Sequence, residues 1–452
     1  MTSRVLVPFQ GEGAGAGELT WAQLMIWQTM QESGRSMNIG GTVALPAGTP
    51  VEAMVRTLRF LVSRHPALRT RLRFDPGGPP TQVVSGAGEA VFEIVDVDDG
   101  GDTGGAAEEL RDRYATVPFD YAVEWPIRMG AIRCGEALSH VVVMYCHLAV
   151  DGFGIDQIVR DLAHLDPVTG EATAPATGLA PLALSARQHT PAGLRQSQKS
   201  LRYWEQQLRS VPAQRFGASD DPRAPRFWEL TVRSPAMHLA MQSVAHRTGA
   251  GVGYVVLAAY AVALARVTGG SAVATQLVVS NRFRPGCADS VSMLVQNGIC
   301  VIDVADTGFD DLVGRAWTAA TNAYLHGYYD PSALTGMLAR VREERAEIDI
   351  SCLVNDRRAG TASAPPAPPP AGQVRAAVPL TTSWWSRKLD TLSYTLIVNV
   401  DAAPDAVDVA ILADTHRIAP AGIEAFAREM ETVLVDAAGA RQVPGAAEPA
   451  RR

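Results

Sequence analysis

Val141-Val142-Val143-Met144-Tyr145-Cys146-His147-Leu148-Ala149-Val150-Asp151-Gly152 is the stretch on which the reading of this chain turns. From His140 to Leu148 the residues are largely apolar, which predicts a strand buried on both faces. Asp151-Gly152 then predicts a turn. Beyond it Ile155, Ile158, Val159 and Leu162 recur at helical spacing. A strand, a turn and a helix start in that order place His147 rigidly before a helix N-terminus. The free backbone N–H groups of such a terminus can stabilise charge developing on a carbonyl oxygen. A neutral imidazole can accept the proton of an attacking amine or hydroxyl. Acyl transfer needs both.

Cys146 beside His147 invites a nucleophilic Cys–His pair. Strand geometry opposes it, because neighbouring residues on a strand point to opposite faces. If His147 faces a cavity, Cys146 faces the core. Taken alone, H-x-x-x-D-G also fits a buried core histidine, so the rest of the chain has to decide.

Moving outward, Thr20 and Gln23 have capping-box spacing, with Leu19 and Leu24 as staple, and predict a helix to about Glu32. Thr49-Pro50-Val51-Glu52 is a second such start, followed by Val51, Met54, Val55, Leu58, Leu61 and Val62 on one face. Further helices are expected around Trp204, after Ser234-Pro235, over Val252–Val267 and from Pro420 to Ala437. Strands are expected over Val273–Ser280, Ile299–Val304, Ile348–Val354, Leu392–Val400 and Val407–Ala413. Asp166 to Gly193 is rich in Pro, Ala, Thr and Gly and marks a boundary between lobes.

This predicts a flexible N-terminus over 1–18, an N-terminal lobe over 19–180 and a C-terminal lobe over 181–438. A Pro-rich loop at 359–372 and a disordered tail at 439–452 complete the expected organisation.

The chain has 452 residues, 47% of them hydrophobic and 19% charged, so it can bury the cores of two or three domains or lobes. Net charge is −7 with no basic run, which argues against a nucleic-acid partner. Cys134, Cys146, Cys287, Cys300 and Cys352 are odd in number and widely spaced, arguing against a disulfide framework or a zinc site. No stretch approaches the roughly 20 apolar residues of a membrane span, and Met1 to Gly17 lacks a signal-peptide core. A soluble, cytoplasmic protein without membrane partner is expected.

The blocks around His147 resemble the condensation domains of nonribosomal peptide synthesis, within the chloramphenicol-acetyltransferase-like superfamily. The core signature His-His-x-x-x-Asp-Gly stands here as Cys146 to Gly152. Leu19-Thr20-Trp21-Ala22-Gln23-Leu24-Met25-Ile26-Trp27 resembles the first family motif. Arg64-His65-Pro66-Ala67-Leu68-Arg69-Thr70 resembles the second. Pro118-Phe119-Asp120 with Pro126 and Arg128 resembles the next block, and Val278-Val279-Ser280-Asn281-Arg282 the strand ending in Gly-Arg. The blocks keep family order, and the resemblance covers Leu19 to Ala437.

The resemblance implies an α/β (α+β) fold of two chloramphenicol-acetyltransferase-like lobes, mixed sheets with flanking helices, in a V-shaped pseudo-dimer with an active-site tunnel between the lobes. It implies His147 as the catalytic base or positioning group, and Gly152 as the point of close backbone approach to the reacting carbonyl. Asp151 and Arg282 would form a structural ion pair; breaking such a pair costs about 3–5 kcal/mol. Cys146 would be structural. No cofactor or metal is implied. The donor would be tethered by the phosphopantetheine arm of an acyl or peptidyl carrier protein, and the acceptor would be a small molecule or carrier-bound.

No nucleotide-binding Gly-rich motif, carrier domain or thioesterase serine motif is evident, which suggests a free-standing enzyme. The departures are Cys146 in place of the first His, the block near Val295-Gln296-Asn297-Gly298, which lacks a clear Gly or Asn-Thr, and the Pro-rich insertion. Outside the site, His65 is expected to hydrogen-bond structurally, and Trp384-Trp385 fits a pocket wall or lobe packing equally. Asp289-Ser290-Val291 is not expected to carry a phosphopantetheine arm.

Overall fold

The computed structural model describes residues 2–34, 36–211, 216–345, 348–358, 367–370 and 372–439. Its contacts group into two compact units. The first comprises Met1–Lys199, Ser280–Gln296 and Tyr328–Leu334; the second comprises Ser200–Val279, Asn297–Gly327 and Thr335–Arg452. A single cut near residue 180 is therefore corrected: the first unit runs on to Lys199 and takes back two later segments.

In the first unit a five-stranded sheet has the order Thr2–Gln10, Ala87–Val97, Ile127–Cys134, Ala137–Cys146, Asn38–Thr49. Only the pair Ala87–Val97 with Ile127–Cys134 is parallel. A three-stranded sheet joins Gly15–Glu18, Thr81–Val84 and Thr70–Arg73. The core packs the helix Val51–Arg64 against the larger sheet, through Leu58, Leu61, Val7, Phe92 and Met129.

The expected flexible N-terminus is corrected here. Thr2–Gln10 pairs residue for residue with Val95 back to Ala87, and Val7 and Phe9 are buried. The alternation Val5, Val7, Phe9 is the period-2 signal of a strand with one buried face.

Local rules explain the helix starts. Thr20 caps Trp21–Ser33: its hydroxyl accepts from Gln23 N at 3.2 Å, and Gln23 Oε1 accepts from Thr20 N at 2.8 Å. Ser234 caps Pro235–Thr248 in the same way, accepting from Met237 N at 2.9 Å. The box expected at Thr49 does not form. Thr49 closes a strand and its hydroxyl donates to Pro46 O at 2.6 Å, leaving Pro50 at the N-cap without a side-chain cap.

The second unit is built on a seven-stranded sheet, ordered Gln296–Asp303, Ala272–Val279, Cys352–Asp356, Leu396–Ala403, Ala406–Asp414, Phe227–Ser234, Thr382–Leu389. Its middle strands Ala272–Val279, Cys352–Asp356 and Leu396–Ala403 are parallel, and the remaining described pairs are antiparallel. Val252–Thr268 is apolar on nearly every side and lies in the core with Pro235–Thr248 and Pro420–Gly439. Trp385 packs edge-on against Trp228, with centroids 5.3 Å apart, while Trp384 is exposed on the edge strand. Ala367–Pro370 is neither helix nor strand; the rest of the Pro-rich stretch up to 366, residue 371 and the tail from 440 lie outside the described residues.

Candidate active site

The strand Ala137–Cys146 ends one residue before His147, so the expected strand to Leu148 is corrected. His147, Leu148 and Ala149 form a turn. It is held by His147 N donating to Met37 O at 3.0 Å and Ala149 N donating to Cys146 O at 2.9 Å. Strand alternation therefore does not govern His147, and the turn sets its direction. The half-buried imidazole places Nδ1 2.9 Å from Val150 O. A carbonyl oxygen only accepts, so Nδ1 carries the proton and Nε2 presents its lone pair.

Cys146 is 2% exposed and packs with Leu19, Ala22, Ile26, Phe119 and Leu148. Burial pushes its thiol up to about 12, outweighing the Leu148 and Ala149 amides directed at the sulfur. A thiol held protonated in this way is a poor nucleophile.

Asp151 N-caps the helix Gly152–Asp161, and its carboxylate is 1% exposed. Oδ1 accepts from Gly154 N at 2.8 Å; Oδ2 accepts from Leu294 N at 2.9 Å and Val295 N at 3.1 Å. Arg282 approaches both oxygens, Nη1 to Oδ2 at 3.0 Å and Nη2 to Oδ1 at 2.8 Å. Its Nη2 also donates to Ser290 O and Ser292 O. Arg282 follows Asn281, which is buried with φ 56 and donates to Leu294 O. With every lone pair occupied, Asp151 is not the partner of His147.

The two glycines of the helix start differ. A Cβ at Gly152 would meet no atom within 4 Å, whereas one at Gly154 would lie 2.5 Å from Val150 Cγ2 and 3.3 Å from both Arg282 Nη2 and Ser292 O. The protein's own packing requires the second glycine and leaves space at the first.

Sequence reasoning did not single out Gly154, the Val150 carbonyl, or the Leu294 and Val295 amides. Val295 opens the block that departs from the family pattern, and Leu294 directly precedes it. No side-chain pattern announces a backbone donor, although the Gly-x-Gly spacing of Gly152 and Gly154 was visible.

The other expected residues lie in structural surroundings. His65 is buried, but its Nε2 stands 3.6 Å from Asp161 Oδ2 and has no hydrogen-bond partner, so the expected hydrogen bond is not made at that nitrogen; Asp161 Oδ2 accepts instead from Arg64 Nε at 2.8 Å. Burial lowers His65 to about 4, the charge of Asp161 opposing this and those of Arg64 and Arg69 adding to it. Arg128 lies over the Phe119 ring, pairs with Glu124, and donates to Tyr114 O, Val117 O and Pro118 O around the end of the helix Thr103–Thr116. Ser290 is buried and donates to Gly286 O. Among the described residues no cluster of three or more His, Cys, Asp or Glu side chains is arranged to hold a metal ion. No single helix there is long and apolar enough to cross a membrane.

The family model described as Condensation domain matches residues 14–440. Nonribosomal peptide synthetase kk1B of Curvularia clavata is 27% identical over 335 residues, covering 70% of this chain and 2% of the relative. Isonitrile lipopeptide synthase of Mycobacterium tuberculosis is 26% identical over 331 residues, 68% of this chain and 13% of the relative. The chain thus spans a small fraction of these synthetases.

Among solved structures, the condensation domain that mediates chain release from the enacyloxin polyketide synthase superposes with TM-score 0.71 at 18% identity, covering 98% of this chain and 86% of the other. The X-domain from teicoplanin biosynthesis gives 0.71 at 18%, covering 93% and 94%. The first condensation domain of the CDA synthetase gives 0.66 at 17%, covering 94% and 96%. With the Condensation domain model matching residues 14–440 and the mixed α/β fold shared, this chain belongs to the condensation-domain family, the acyl-transferring domains of nonribosomal peptide synthesis.

Proposed function

We propose that this chain joins an acyl or aminoacyl thioester, borne on the phosphopantetheine arm of a separate carrier protein, to an amine or alcohol. The observation that carries the proposal is the Nδ1–Val150 O hydrogen bond at 2.9 Å, which leaves Nε2 of His147 as a proton acceptor. The nucleophile attacks the thioester carbon while His147 Nε2 takes its proton. The tetrahedral oxyanion lies near the N-terminus of the helix Gly152–Asp161, at the Gly152 and Phe153 amides, which precede the Gly154 amide taken by Asp151 and the first intrahelical bond at Ile155 N. Gly152 leaves room for that approach. Collapse expels the thiolate, which recovers the proton from His147, giving an amide or ester and a free thiol. Asp151 and Arg282 fix the turn and exchange no proton. Cys146, with its thiol held protonated, forms no acyl-enzyme.

The test supplies loaded carrier protein and a panel of amines and alcohols. His147→Ala is expected to lower kcat by about 10²–10⁴-fold while its unfolding transition stays in place. Intact-mass analysis during turnover is expected to find no acyl adduct on the protein. A folded His147→Ala protein with undiminished turnover refutes the proposal. Faster turnover with acyl-coenzyme A than with any acyl-carrier would assign the donor to coenzyme A instead. A second reading, a condensation-like domain that binds a partner and does no chemistry, is favoured by Cys146 where the family signature begins with His. Absence of turnover with every carrier-bound donor, together with tight binding of a partner enzyme, selects it.

A further inference from the structure

One cavity in the first unit lies directly behind the turn that carries His147. Its volume is about 20 Å³, and its lining includes Cys146, Leu148 and Ala149, the residues on either side of the histidine. Leu72, Phe119, Leu148 and Cys146 are buried lining residues. Tyr121 and Glu124 are the lining residues with partial exposure, so they mark the mouth. Glu124 brings little free charge there, because Arg128 holds both of its oxygens at 2.7 and 3.0 Å.

An apolar cavity of this size has room for little more than one water, or for the end of an alkyl chain. Gln23 and Thr70 also line it, but Gln23 is held by Thr20 N and Gln82 and the Thr70 hydroxyl by Pro66 O, so a water finds few of the two to four partners it needs. Cys146 lines the cavity, so a smaller side chain there enlarges it and an imidazole occupies it.

We propose that this cavity is a substrate subsite for the terminal methyl or ethyl of a short aliphatic group, with Cys146 as the residue that sets the permitted length. The inference rests on the catalytic reading above. The aliphatic group belongs either to the acyl donor or to the acceptor, and the two arms of the test distinguish them.

In the first arm, straight-chain acyl-pantetheine thioesters from acetyl to hexanoyl are compared at a fixed amine. In the second, straight-chain alkylamines are compared at a fixed donor. Each arm uses the unsubstituted chain, Cys146→Ala, Cys146→His and, at a second lining residue, Leu72→Val. The arm that reports the subsite shows a length cut-off in kcat/KM. Cys146→Ala and Leu72→Val move the cut-off towards longer chains, by about 10-fold in relative kcat/KM for one added methylene. Cys146→His moves it towards shorter ones. A merely structural role for Cys146 lowers all substrates together and leaves their rank unchanged.

Turnover with the same rank order in every variant overturns the subsite and leaves the catalytic reading intact. Absence of turnover by the unsubstituted chain on every donor overturns both. Should Cys146→His fail to fold, Leu72→Val carries the decision.

Discussion

Asp151 and His147 lie four residues apart and meet opposite surroundings. The carboxylate is sealed from solvent and accepts from three backbone amides and both Nη groups of Arg282. The imidazole is half-buried, with Nδ1 on Val150 O and Nε2 facing away from that bond. One end of the turn has nothing left to exchange, and the other keeps a single lone pair available. The pairing of a fixed corner with an open one is what a site needs if a proton is to move at one atom while the backbone around it stays still.

The comparison breaks most visibly at the fixed corner. Asp151→Ala strands Arg282 and three amides, and should cost about 3–5 kcal/mol of stability in urea unfolding. A loss near that of an exposed ion pair, about 1 kcal/mol or less, would mean that the corner is not what holds the turn.

A second contrast sets His65 against His147. Burial holds folded His65 down to about 4, against 6.5 for an ordinary imidazole. Between those values an unfolded chain takes a proton that the folded chain refuses. Stability should fall as pH drops from 6.5 to about 4 and level off below, by about 3 kcal/mol over the window. His65→Gln should remove that part of the slope, measured as unfolding free energy against pH. An unchanged slope would show that His65 is not the group resisting protonation.

The smallest effect separates the glycines. Gly154→Ala forces a methyl against Val150 and should cost about 1–3 kcal/mol. Gly152→Ala should leave stability within about 0.5 kcal/mol, while lowering turnover by occupying the space the substrate carbonyl needs. Equal stability losses at the two positions would erase the distinction.

Much of this arrangement was legible in the residues because local rules are strong where they apply. Thr20 and Ser234 announce helix starts through capping, and Val252–Val267 announces a buried helix through its apolar run. The strand ending at Val279 and the helix from Pro420 follow the same logic. The Asp151–Arg282 contact is different. It joins residues 131 apart, and only the order of motifs suggested it. The alternation Val5, Val7, Phe9 in Thr2–Gln10 was legible, and the expectation of a flexible N-terminus over 1–18 passed over it. The Leu294 and Val295 amides could not be read at all, since any residue but proline supplies the same donor.

The return of Ser280–Gln296 to the first unit has a consequence for how the chain is made. The carboxylate of Asp151 waits 143 residues for the amide of Leu294. A ribosome adding about 5–20 residues per second leaves that carboxylate without Leu294 and Val295 for roughly 7–30 seconds. Closing so long a loop is entropically slow compared with forming the helix that Asp151 caps. The turn that carries His147 is therefore among the last parts of the first unit to be finished, and a nascent chain stopped before residue 294 carries His147 on an unfinished turn.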